Sequence, residues 1–110
     1  MQREDIEVEG GSWWTETLPI IDADRNPVED LSGYDFQLQV RGFSGNLVGI
    51  GTVTTGVGYV RLAISPTLIT AMTSGSAQLY RVKIRPIDQS WEATLKGGAI
   101  KKSGVDFPWQ

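Results

Sequence analysis

The chain has 110 residues, a net charge of −3 and neither cysteine nor histidine. That is enough for one domain with its own core, and it excludes disulfide bonds, thiolate metal sites and the commonest general base. The acidic balance opposes general attraction to nucleic acid or anionic membrane. No apolar run approaches the ~20 residues of a membrane span, and Met1–Asp5 lacks the order of a secretory signal, so the chain is expected to be made and used in a cytoplasm.

Taken in chain order, the first expected strand is Ile6–Glu9, ended by Gly10-Gly11. The second is Trp13–Ile21. Neighbouring strand residues point to opposite faces, so Trp14, with Leu18 and Ile20, belongs in the core, whereas Trp13, with Thr15 and Thr17, faces outward or lies under a neighbour. Asp22-Ala-Asp24-Arg-Asn26 starts like a calcium loop, but Pro27 replaces the glycine and Gly33 the glutamate that such a loop needs, so a polar turn is expected. Phe36, Leu38 and Val40 alternate with Gln37, Gln39 and Arg41, the pattern of a half-buried strand.

Glycines 42, 45, 49 and 51 lack the lysine and following helix of a phosphate cradle, so they predict a hairpin turn and a bulge around a strand over Leu47–Thr55. Gly56-Val-Gly58 precedes a second clear alternation at Val60, Leu62 and Ile64. Ser65 as N-cap and Pro66 at the first helical position predict a short helix over about 65–73, with Leu68 and Met72 on one face and Gly75 as its stop. Tyr80, Val82 and Ile84 then alternate with Arg81, Lys83 and Arg85. After the Asp88–Ser90 turn, a last strand over Trp91–Ile100 is expected to send Trp91, Ala93 and Leu95 inward and to kink at Gly97-Gly98. Three clear alternations and several weaker ones predict an all-β antiparallel sandwich of about seven strands with one short helix, in one domain spanning 1–110.

Nothing here reads as a catalytic centre. Adjacent acids such as Glu7/Glu9 and Glu29/Asp30 read as solvated turn residues rather than facing acids in a cleft, and serines lack their usual activator. The chain is therefore expected not to be an enzyme and to use no cofactor or metal. Charge is divided along it: residues 1–35 hold ten acids against Arg3 and Arg25, and residues 36–110 hold eight bases against Asp88, Glu92 and Asp106. The two parts pair either within one domain or between subunits.

Candidate interface residues follow. Arg81, Lys83 and Arg85 form an outward basic row, joined in one reading by Arg41 and Arg61, which meets either the acidic first strands or a protein partner; nucleic acid is not expected, because no aromatic but Tyr59 accompanies the bases. Trp13 and Tyr59 are outward aromatics. Val105-Asp-Phe107-Pro-Trp109 is an apolar tail expected to dock either on its own sandwich or on another subunit. A second reading makes Trp13, Tyr59 and Trp109 a platform for sugar rings, as in a carbohydrate-binding module.

Gly11-Ser-Trp-Trp14, Asp22-Ala-Asp-Arg-Asn-Pro-Val-Glu-Asp-Leu-Ser-Gly-Tyr34 and Phe36-Gln-Leu-Gln-Val-Arg41 resemble the N-terminal Ig-like domain of tailed-phage baseplate upper proteins and related small virion proteins. Ser65–Met72, Leu79–Ile84 and Leu95–Ile100 are similar to later parts of the same pattern. Ser12, Arg25 and the basic strand at 81–85 depart from it. The resemblance implies an Ig-like β-sandwich that attaches to other virion proteins, often in a ring or trimer, after assembly in the host cytoplasm. Longer relatives continue into a fibre-forming region. This sequence ends at Gln110, so the expected role is an adaptor, plug or decoration in tail, baseplate or head, as a homo-oligomer, with no membrane partner.

Overall fold

The alternating segments fold as strands, and the computed structural model, which describes residues 2–72 and 77–102, packs them in two sheets. In chain order the elements are β1 (Gln2–Arg3), β2 (Ile6–Val8), β3 (Trp14–Pro19), β4 (Tyr34–Arg41), β5 (Leu47–Ile50), β6 (Thr52–Thr55), β7 (Tyr59–Ile64), α1 (Pro66–Ala71), β8 (Ala77–Pro86) and β9 (Ala93–Lys102). The larger sheet runs β1-β9-β8-β4-β5, with β2 also on β9, and the smaller runs β3-β7-β6. β1 and β2 are two pieces of one edge strand lying parallel to β9, and β5 and β6 are separated only by Gly51. Nine segments thus make seven extended runs, the all-β sandwich expected.

Alternation decides what fills the space between the sheets. Leu38 and Val40 from β4, Tyr80 and Val82 from β8, Ile100 from β9, and Ile6 and Val8 from the edge meet Leu18, Val60, Leu62 and Ile64 from the smaller sheet. Leu38, Leu62, Ile64 and Val82 are wholly buried, each contributing about 1.5–3 kcal/mol by leaving water. Trp14 packs against this core, as its parity predicts, with its ring tilted on Tyr80 at a centroid distance of 6.5 Å.

Gly51 is where one strand changes sheets. β5 pairs with β4 in the larger sheet and β6 with β7 in the smaller. At the corner the Gly51 N–H donates to the Leu38 carbonyl at 2.8 Å. A Cβ at Gly51 would lie 2.5 Å from Leu38 Cδ2 and 2.8 Å from the Ala63 carbonyl oxygen, so only glycine fits as the backbone crosses.

The helix forms as expected at its start. Ser65 Oγ accepts the Leu68 N–H at 3.1 Å, and Pro66 occupies the first turn, where no donor is needed. It is shorter than 65–73, because Met72 is already extended. Its buried anchor is Ile69, with Met72 beside it, while Leu68 is only partly buried over β5. Gly75 lies outside the described residues.

The last strand corrects the sequence reading. Val82 faces Lys96 and Lys83 faces Thr94, leaving Leu95 as an extra residue on β9. Past this bulge the parity is reversed, so Lys96, Ile100 and Lys102 are the buried side chains and Leu95 is not, whereas Ala93, before the bulge, keeps the facing of its partner Ile84. Ala93 is exposed and Leu95 half-buried. Trp91 precedes the strand, is half exposed, and leans on Tyr34 with ring centroids 6.2 Å apart. The register shift falls at Leu95 rather than at the two glycines. Gly98 serves a different purpose: a Cβ there would fall on the Glu4 carbonyl, so the glycine lets the N-terminal segment cross β9 closely.

Candidate protein-binding face

The outer face of the larger sheet gathers the basic row. Residues in direct register share a face, and Asp35, Gln37, Gln39 and Arg41 of β4 stand opposite Arg85, Lys83, Arg81 and Leu79 of β8. On the next strand Gln39 faces Ile50 and Arg41 faces Leu47. The result is a mixed surface in which Leu47, Ile50 and Leu79 are exposed at 51%, 47% and 42% among Arg41, Arg81, Lys83 and Arg85. Two open depressions of about 270 and 360 Å³ lie on it, one beside Lys83, Arg85 and Glu92, the other between Arg41, Leu79 and Arg81.

Some of its charges are already engaged. Lys83 Nζ pairs with Glu92 Oε1 at 2.9 Å, and this contact, first by its hydrogen bond and then by its charge, holds the Glu92 carboxyl below its ordinary range. Arg41 donates to the Gly45 carbonyl at 3.0 Å, and Gln39 to Gln37 at 2.6 Å. Among the described residues, Arg41, Arg81 and Arg85 have no ion pair. Such a face offers aliphatic contact bordered by unpaired cations, the composition from which protein interfaces are built.

Other expected members lie elsewhere. Arg61 sits on β7 in register with Thr17 of β3, on the outer side of the smaller sheet, and so does not join the basic row. Tyr59 is on the same strand at its far end, half exposed and lying over Gly56 in the turn from β6. Trp13 is exposed at 61% beside a cleft formed with Val8, Glu9, Trp14 and Lys101. Trp14 pairs with Ile64 and Pro19 with Tyr59, so Trp13 and Tyr59 stand at opposite ends of the smaller sheet, about six residues or roughly 20 Å apart along the strand. They do not form one platform. Phe107 and Trp109 lie outside the described residues. Asp22–Asn26 forms the polar turn expected, with Asp22 Oδ1 accepting the Asp24 and Asn26 N–H groups at 2.9 and 3.0 Å and an Ile21–Pro27 bridge closing it.

Acidic and basic parts of the chain also meet inside the sandwich. Lys96, on the larger sheet, is 1% exposed, and its Nζ reaches both carboxylate oxygens of Glu16 on the smaller sheet at 2.6 and 2.7 Å, with Glu4 at 3.5 Å. Tyr80 completes the group by donating its hydroxyl to the Glu4 carbonyl at 2.5 Å. Glu16 was within reach of the sequence reading, since it shares the parity of Trp14 and Leu18. Leu79 shares the outward parity of Arg81. Lys96 was hidden by the Leu95 bulge.

Burial first, and then the nearby Glu16, Glu4 and Asp5 charges, push the Tyr80 hydroxyl up from 10.0 to about 12. The folded chain therefore holds this proton more tightly than the unfolded chain. Its contribution to stability is complete below pH 10 and is lost as pH rises from 10 to about 12. Urea unfolding midpoints should fall across that window, and by less in Tyr80→Phe; an equal fall in both chains would refute the assignment.

Compared with protein-family models and with curated proteins, the chain matches none.

Proposed function

We propose that this chain is a non-enzymatic structural protein of a bacteriophage virion, an adaptor or decoration module that binds other virion proteins in the tail, baseplate or head. The observation that carries the binding role is the outer face of the larger sheet, where Leu47, Ile50 and Leu79 lie exposed among arginines that make no ion pair among the described residues. An apolar centre with a charged surround suits a protein surface of opposite sign. The virion assignment is supported by the resemblance of residues 11–14, 22–34 and 36–41 to the Ig-like domain of baseplate upper proteins. A two-sheet β-sandwich agrees with that resemblance at the level of fold class.

The test is the composition of purified virions from the phage or induced prophage that carries this sequence. The proposal expects the chain at a fixed copy number per particle, and expects Arg81→Glu/Arg85→Glu, folded by circular dichroism, to be left out. Purified virions that do not contain the wild-type chain would overturn it.

A further inference from the structure

One exposed segment of this chain is opposite in charge to its own basic face. The segment between β3 and β4 carries Asp22, Asp24, Glu29 and Asp30 against a single base, Arg25, and every one of these residues is exposed. It is a built projection. Asp22 holds the turn through two backbone N–H groups, Val28 N–H donates to the Ile20 carbonyl at 2.9 Å, and Ile20 N–H donates to Gly58 at the same distance. Asp30 caps Ser32 through both its N–H and its hydroxyl. Among the described residues neither Asp24 nor Glu29 is ion-paired, and Ile21 beside them is 56% exposed.

Taking the outer face of the larger sheet as an interface, as the proposed function does, we infer that its occupant is a second copy of this chain, seated through this acidic projection. Acids and an exposed isoleucine on one surface answer bases and exposed leucines on the other. The two surfaces differ, so the contact is head-to-tail, and repetition of it gives a ring where the rotation closes and an open string where it does not. Fixed backbone on both sides means little ordering cost on association. The attraction is between solvent-facing charges and is therefore screened by salt, with a Debye length of about 8 Å at physiological ionic strength and 3 Å at 1 M.

The experiment is sedimentation velocity on the full chain over a range of concentrations, at low and high salt. The inference expects mass above the 12.1 kDa monomer at low salt, and monomer at 1 M salt. Arg81→Glu/Arg85→Glu on the face, and Asp24→Lys/Glu29→Lys on the projection, each place like charges together and weaken association by roughly a hundredfold. Mixing the two variants restores opposite charges wherever one variant meets the other, and recovers association above the monomer mass. Monomer under all conditions, association indifferent to either reversal, or a mixture that fails to recover would each overturn it. A chain that is monomeric yet present in virions would sink this inference and leave the proposed function standing.

Discussion

Glu16→Leu lowers the unfolding free energy by about 3 kcal/mol, the low end of the range for removing one partner of a buried ion pair. Lys96 is the reason. Its side chain is almost wholly enclosed, and Glu16 supplies both of its short contacts, while Glu4 at 3.5 Å offers only partial compensation from a half-exposed position. Once Glu16 is gone, a cation stays in the space between two sheets with too few acceptors. Glu16→Leu/Lys96→Met removes the stranded charge and fills similar volume, so the double variant regains most of the lost stability. Urea unfolding of the three variants checks this. If Glu16→Leu cost less than about 1 kcal/mol, the value of an exposed pair, the cross-sheet bridge would not exist as described.

Leu38→Ala costs about 3 kcal/mol, within the range for emptying a fully buried leucine site. Its position makes it informative, because the Leu38 side chain packs where the β5–β6 run passes from one sheet to the other. Gly51→Ala alone is also destabilising, since the added carbon meets Leu38 Cδ2 and the Ala63 carbonyl. In combination the costs should fall short of their sum, because the smaller side chain at 38 leaves room for the methyl at 51. Strict additivity in a double-mutant cycle would mean that the two residues do not touch, contrary to the crossover geometry.

The strands were legible because their chemistry is local. Phe36 to Arg41, Tyr59 to Ile64 and Tyr80 to Arg85 alternate cleanly, and each became a strand with the expected inward face. The outward basic row of β8 was readable for the same reason. What the sequence concealed was relational. A one-residue bulge at Leu95 reversed the facing of the rest of β9 and buried Lys96, while Trp91 stays outside because it precedes the strand. Parity cannot reveal a bulge, since the partner strand decides where the extra residue falls. Sheet membership was equally hidden: Arg61 and Arg81 have the same local pattern, yet they lie on opposite sides of the sandwich because β7 and β8 belong to different sheets. The aliphatic part of the candidate face was half visible. Leu79 has the right parity, but Leu47 and Ile50 join it only through pairing of β5 with β4 across a second bulge.

The chain has no cysteine, so one introduced at Leu79 reports on this face alone, and one at Thr17 reports on the outer side of the smaller sheet. The decisive measurement is the rate of thiol alkylation at each position in the dilute chain and in assembled particles. Binding through the larger sheet predicts fast reaction at both sites in the dilute chain, then strong protection at 79 with continued reaction at 17 in the particle. Equal reactivity at 79 in both states would contradict the account.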